Sequence, residues 1–189
     1  MSAAADVTKL RESFGEKIWE TLEFRGEHTV RVELASLHAL LAKCHKDLGY
    51  KMILDISSLD HFGDDPRFEM VYEIATLDDS KHLRIKAKVG EEESVPSVTD
   101  VWVGADWHER EVWDMMGIPF TGHPNMKRIL MWEGYPFFPL RKDFPLAGRP
   151  TDMPDVAFTG VAPLEGGPFV TSPGTEDVAR REPRARVVE

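Results

Sequence analysis

At 189 residues, 42% hydrophobic and 30% charged, the chain has the size and balance of one globular domain plus an extended tail. Its net charge of −10 argues against nucleic acid as a partner and against direct anchoring on an anionic membrane face. A single cysteine, Cys44, excludes an internal disulfide or a cysteine-ligated cluster within the chain and favours a reducing, cytoplasmic compartment.

In chain order, Val7, Leu10, Phe14, Ile18 and Leu22 recur at spacings of three and four and predict an amphipathic helix from Asp6 to about Glu23. Thr29 to Leu34 alternates and predicts a half-buried strand. Ser36 then caps a helix striped by Leu37, Leu40, Leu41, Cys44 and Leu48 and ended by Gly49, which makes Cys44 a core residue and not a nucleophile. Three further strands are expected. Tyr50 to Leu59 places Met52, Leu54 and Ile56 on one face. Phe68 to Leu77 points Phe68, Met70, Tyr72 and Ile74 inward and Glu69 and Glu73 outward. Leu83 to Val89 alternates apolar residues with Arg84, Lys86 and Lys88. Turn residues at 63–66 and 78–80 separate them, so successive strands should be antiparallel neighbours with outward Glu and Lys rows pairing across the ladder. The economical architecture for residues 1–104 is an α+β two-layer sandwich. It has a mainly antiparallel sheet of about four strands, with helices on one face.

Residues 105–146 read differently. Asp106 is a natural N-cap, Glu109 completes a capping box, Gly117 suits a left-handed C-terminal position and Pro119 forbids continuation of the helix. Beyond it, Ile118, Phe120, Met126, Ile129, Leu130, Met131, Trp132, Tyr135, Phe137 and Phe138 alternate with Pro, Gly and charges in no helical or strand period. A run this apolar and irregular needs a surface to lie on. Its charges sit where an isolated ion is costly, and charges paired across an interface fix register and reject wrong partners. Arg110, Arg128 and Arg141 suit bidentate capture of a partner's carboxylates or carbonyls. The segment is therefore expected to bind a partner. From 147 to 189, Pro and Gly leave no room for regular elements. Val156, Phe158, Val161, Phe169 and Val170 are spaced as anchors on an extended arm that orders on a partner. The runs at Glu91–Glu93 and at Arg180, Arg181, Arg184 and Arg186 read as solvated surface.

Self-contained chemistry is hard to find. His108-Glu109 lacks the second histidine of a zinc protease helix, since position 112 is Val112. His108 and Glu111 make at most half a metal site, and His123, in a turn, reads as a backbone-satisfying or interface residue. His38 and His45 share a helix face at the surface. No phosphate-cradling glycine loop or nucleophile elbow occurs. Of Trp102, Trp107, Trp113 and Trp132, one or two should complete the core and the others suit interface hot spots. No apolar run approaches the ~20 residues that span a bilayer, and no secretory leader is evident.

Glu109-Arg110-Glu111, Asp114, Met115-Met116, His123 and Lys127-Arg128-Ile129-Leu130, followed by Leu140-Arg141-Lys142-Asp143-Phe144-Pro145-Leu146, resemble the two signature blocks of the 30 kDa subunit (C-subunit) family of NADH-quinone oxidoreductase, respiratory complex I. The likeness runs from about Thr29 to Leu146. One departure is visible. Where the family usually reads Gly-His-Pro-Leu-Arg-Lys, residues 134–140 are longer and lack the histidine, so no role of that histidine carries over. The resemblance implies a subunit with no catalytic, cofactor-binding or metal-ligating residue of its own. The FMN, iron–sulfur clusters, NADH and quinone would belong to the complex. It further implies bracing of the hydrogenase-like large subunit and the small iron–sulfur subunit near the quinone site, among other peripheral-arm subunits. The chain would sit peripherally on the cytoplasmic side of the cell inner membrane. Glu109, Arg110, Glu111, Asp114, His123, Lys127, Arg128, Arg141, Lys142 and Asp143 are the implied subunit-interface residues. Two alternatives are the same module in a membrane-bound hydrogenase or deazaflavin-dependent quinone reductase, and a free-standing metal enzyme built on His108, Glu111 and His123.

Overall fold

The structure is a computed structural model and describes residues 2–145. Met1–Lys142 forms one compact unit, and the expected arm at 147–189 lies outside the described residues. The unit is the expected α+β two-layer sandwich, but its sheet has five strands and is mixed.

The first helix, α1, covers Ala3–Phe14, not Asp6 to Glu23. Ser2 Oγ accepts the Ala5 N–H at its start, and Gly15 takes φ +56° after its last turn, a conformation that ends a right-handed helix. The rest of the expected helix is strand β1, Ile18–Phe24, hairpinned to β2, Glu27–Val32. Arg25 and Gly26 both adopt positive φ, the two-residue turn whose twist matches antiparallel strands, and Phe24 faces Glu27 across it. The four-residue spacing of Ile18 and Leu22 imitated a helix stripe.

Helix α2, Leu34–Asp47, starts two residues before the expected cap: Glu33 occupies the N-cap and Ser36 is buried inside. Leu37, Leu40, Leu41 and Cys44 have no exposed surface, and burial pushes the Cys44 thiol up to about 12. The helix carries the chain across to β3, Met52–Asp60, from which β4, Phe68–Ala75, and β5, His82–Val89, return as an antiparallel meander. The strand order is β1-β2-β5-β4-β3, so β5 pairs with β2 in parallel and β3 becomes an edge. The expectation that the strands separated by the turns at 63–66 and 78–80 are antiparallel neighbours holds for β3–β4 and β4–β5; the parallel joint lies between strands that no short turn connects. Within β3 a bulge between Ile53 and Asp55 shifts the alternation. Met52 and Leu54 are therefore exposed, and only Ile56 of the three faces the core.

The inner face of the sheet (Val30, Ile85, Tyr72 and Ile56 across one row) packs against the helices. On the outer face charges pair across the ladder as expected. Arg31 Nε binds Glu69 at 3.0 Å, Lys86 binds the other Glu69 oxygen at 3.0 Å, and Arg84 pairs with Glu73. Glu69 is nonetheless 3% exposed, roofed by its two cations. Asp60, at the end of β3, takes both Arg67 Nε and Nη2 at 2.8 Å and so holds the β3–β4 turn. Arg67 also reaches Glu91 and lies over the rings of Phe62 and Phe68.

Removing one partner of a buried ion pair strands the other. Asp60 and Arg67 side chains are 2% and 8% exposed. Arg67→Ala is expected to cost about 3 kcal/mol. Urea titration measures it; a loss below about 1 kcal/mol would show that the Lys142 N–H, which Asp60 Oδ2 accepts at 2.8 Å, satisfies the carboxylate without Arg67.

Candidate functional site

Helix α3, Ala105–Met116, is the centre of the signature, entered from the short strand β6, Val95–Pro96, and followed by its parallel partner β7, Phe120–Thr121. It packs against β3, and its Val112, Met115 and Met116 join the same core as the sheet. Asp106 and Glu109 do not form the expected capping box. Gly104 occupies the N-cap, and Glu109 reaches back to the loop before the helix, where Oε1 accepts the Val98 N–H at 2.7 Å. Gly117 does take the left-handed position, φ +74°.

An α-helix leaves its last four carbonyls without intrahelical partners. Here all four are taken by the irregular segment that follows. Trp113 O accepts Gly117 N–H at 2.8 Å and Met115 O accepts Leu140 N–H at 3.1 Å. Asp114 O accepts Arg128 Nη1 at 3.1 Å and Met116 O accepts Arg141 Nε at 2.6 Å. Two guanidinium cations thus sit at the negative end of the helix dipole. Arg128 also donates to Tyr135 O and Phe137 O, at 2.5 and 3.3 Å, and is surrounded by the rings of Trp113, Tyr135 and Phe138. Arg141 stacks on Phe68 and Phe138 at 5.2 and 4.7 Å. At Gly117 any Cβ would stand 2.6 Å from Arg141 Nη2 and from Phe138, so glycine is required sterically as well as conformationally.

Asp114 binds the segment from the other side. Its Oδ2 accepts three consecutive backbone N–H groups, Ile129 at 2.9 Å, Leu130 at 2.7 Å and Met131 at 2.8 Å, while Oδ1 pairs with Arg128. Burial alone would raise the carboxyl's pKa; these donors outweigh it and hold it below the usual carboxylate range. Arg110 donates to Lys127 O and Arg128 O at 3.0 and 3.3 Å and lies 5.1 Å from the Trp107 ring. His123 accepts Asn125 N–H on Nδ1 at 3.0 Å, so its Nε2 carries the proton and donates to Asp106, 3.2 Å from the carboxylate.

The ten expected interface residues therefore divide into three kinds. Glu109 and Asp114 have no exposed surface and the His123 side chain has none either, so all three are engaged inside the chain. Arg110, Arg128 and Arg141 are half-buried and capture carbonyls as expected of guanidinium groups, but the carbonyls are the chain's own. Glu111, Lys127, Lys142 and Asp143 are exposed. Trp107, Leu130 and Leu140 stand out among them, 60%, 56% and 62% exposed, whereas Trp102 is in the core. Sequence reasoning missed Asp60, whose Oδ2 accepts the Lys142 N–H at 2.8 Å and ties the second signature block to the sheet. No local signal marks that contact, which spans 82 residues.

His108 Nδ1 lies 3.3 Å from the Asp55 carboxylate. His38 pairs with Asp100 at 2.9 Å, and His45 meets Trp102 edge-on at 5.4 Å. Among the described residues no three His, Cys, Asp or Glu side chains are placed to share a metal. Nor is any helix among them long and apolar enough to cross a membrane.

Comparison with known proteins adds a family. The family described as "Respiratory-chain NADH dehydrogenase, 30 Kd subunit" matches residues 30–150. The NADH-quinone oxidoreductase C-subunit of Geotalea uraniireducens is 45% identical over 143 residues, 75% of this chain and 87% of that protein. The NADH-quinone oxidoreductase C-subunit 2 of Rhizobium meliloti is 46% identical over 123 residues, 65% of this chain and 68% of that protein. A chain in the structure of the membrane-bound sulfane sulfur reductase, an archaeal respiratory membrane complex, aligns with a TM-score of 0.65 at 20% identity. The alignment covers 93% of this chain and 96% of that one, a likeness of fold.

Two measurements probe the internal carboxylates. Asp114→Asn puts an amide where four donors converge; a cost of about 3 kcal/mol is expected, with faster hydrogen exchange at Ile129, Leu130 and Met131. Unchanged exchange at those three amides would refute the scaffold. Burial pushes Glu109 up to about 7 from an ordinary 4.5, against the Val98 N–H that pulls it down, and its Oε2 has no hydrogen-bond partner among the described residues. The native state then holds more protons than the unfolded one between those values, so stability falls as pH rises from about 4.5 to about 7. Glu109→Gln keeps an acceptor for Val98 and removes the charge. It should be more stable than the parent at pH 8 by up to ~3 kcal/mol, with the gap narrowing toward pH 5 in urea titrations.

Proposed function

Because the chain belongs to the respiratory-chain NADH dehydrogenase 30 Kd subunit family, we propose that it is a non-catalytic structural subunit of a proton-translocating NADH-quinone oxidoreductase. In this reading it braces the hydrogenase-like large subunit and the small iron–sulfur subunit beside the quinone site. FMN, the iron–sulfur clusters and the NADH site are carried by other chains, and this one lies peripherally on the cytoplasmic side of the inner membrane.

The observation that carries the reading is the use to which the signature charges are put. Residues 117–142 contain one two-residue strand and otherwise no regular secondary structure, yet internal ion pairs and the four α3 carbonyls hold them in one conformation. An enzyme would converge polar groups on a cavity. This segment converges them beneath a surface and presents Leu130 and Lys127 outward, while Trp107 of α3 is exposed as well. Exposed aromatic and aliphatic side chains on a pre-ordered backbone lose little entropy on association. On this account Glu109, Asp114 and His123 shape the interface from within, and the exposed residues touch the partner.

The double variant Lys127→Glu/Leu130→Asp tests this, since both side chains are exposed and neither supports the scaffold. Purified under mild detergent, the parent is expected to bring down an NADH-binding chain together with the large and small subunits. The variant should keep its urea midpoint and lose about tenfold or more in recovered partners. Parent-level recovery and quinone reductase activity in the variant would defeat the proposal. Partners without an NADH-binding chain would point to a related energy-converting complex instead.

A further inference from the structure

The open edge of β3 meets the signature helix at a groove. Among the described residues β3 pairs with β4 alone, so alternate backbone N–H and C=O groups along its other side point away from the sheet. From Asp55 to Asp60 the ladder with β4 runs without interruption, past the bulge, so this half of the strand is regular. Beside it lies a cavity of about 530 Å³ whose far wall is α3 and whose end is closed by Leu140 and Lys142. The groove is lined by Ile56, Leu59, Val112, Met115, Met116 and Leu140, of which Leu59 and Leu140 are 43% and 62% exposed. Glu111 stands exposed on the α3 rim with no hydrogen bond or ion pair among the described residues, and Lys142 brings a positive charge to the closed end.

A regular sheet edge is a pairing template that proteins normally blunt with charge or a bulge, and on this one Asp55 and Asp60 are paired with His108 and Arg67. Here the bulge is confined to residues 53–55. We infer that the β3 edge receives an extended segment of a partner subunit, added as a sixth strand to the large sheet. Strand addition draws affinity from main-chain hydrogen bonds and specificity from alternate side chains. Those side chains would be apolar against Val112 and Met115, with a lysine or arginine facing Glu111 and an acidic residue facing Lys142. A second copy of this chain is the poorer occupant, because pairing two chains of net charge −10 brings like charge together. The inference rests on the reading of the chain as a subunit, and it assigns a surface distinct from the Leu130 and Lys127 face.

Ser57→Cys in the assembled complex provides the test. Cys44 is buried and its thiol is pushed up to about 12, so the new thiol is the reactive one. Labelled with a thiol-directed benzophenone and irradiated, it should form adducts with one short contiguous segment of one partner. Amides of residues 55–59 should exchange roughly tenfold or more slowly in the complex than in the free full-length chain. Glu111→Lys should lower adduct yield about fivefold or more, and reversing the charge of the basic residue found opposite should restore it. Adducts within residues 146–189, adducts with a second copy, or unprotected 55–59 amides while partners still co-purify each overturn the inference and leave the subunit reading standing. A chain that purifies without partners overturns the subunit reading itself.

Discussion

The structure depends on how one helix ends. Four carbonyls at the C-terminus of α3 need donors, and the chain supplies them from residues 117–141 through two backbone amides and two guanidinium groups. Between them the Asp114 carboxylate gathers three successive amides and Arg128. A segment with no ladder of its own must otherwise expose its amides to water or fluctuate, since fixing each residue costs about 1–2 kcal/mol of backbone entropy. Collecting several amides on one carboxylate replaces the missing ladder with a point anchor. The aromatic rings around Arg128 exclude water from that anchor and strengthen it, as a low local dielectric does for any satisfied charge.

That arrangement changes what the charges in the signature mean. Read along the chain, Glu109, Asp114, Arg128 and Arg141 sit among apolar residues, and the physical argument that they must be paired is correct. The partner, however, is internal. Nothing in a linear pattern distinguishes a carboxylate aimed at another polypeptide from one aimed at an amide 15 residues further on, because both need the same burial and the same donors. The distinction lies in what covers each position. The loop before α3 closes over Glu109 and residues 128–131 close over Asp114, whereas Glu111, one turn from Asp114, has no such cover and is exposed.

Local chemistry was legible where one element decided it. The stripe of α2, the alternation of β4 and β5, the cross-strand Glu and Lys pairs and the left-handed Gly117 all follow from spacing and residue type. What failed involved competition between levels. Ile18 and Leu22 satisfied a helical period, but Gly15 and the Arg25-Gly26 turn favoured a hairpin with more backbone hydrogen bonds to gain. The bulge at 53–55 reversed the facing of Met52 and Leu54, and a bulge has no reliable residue signature. The capping box at Asp106 was available in composition, yet Glu109 gained more by satisfying the buried Val98 amide. Contacts such as Asp60 with Lys142 depend on topology and could not be read locally.

The parallel joint between β2 and β5 is the step that links fold to surface. Had β3 paired with β2, as consecutive antiparallel strands would, it would lie in the sheet interior and α3 would pack on a closed face. The α2 crossover instead delivers β3 to the outside, so among the described residues the strand that meets α3 is also an edge. The signature helix therefore borders an open strand on one side and the anchored segment on the other. One element thereby positions two different kinds of surface: a pre-ordered apolar loop face, which needs shape complementarity, and a backbone edge, which needs only an extended chain of suitable charge. A covering partner that used both would be held in register by the edge and in identity by the loop, which neither surface could achieve alone.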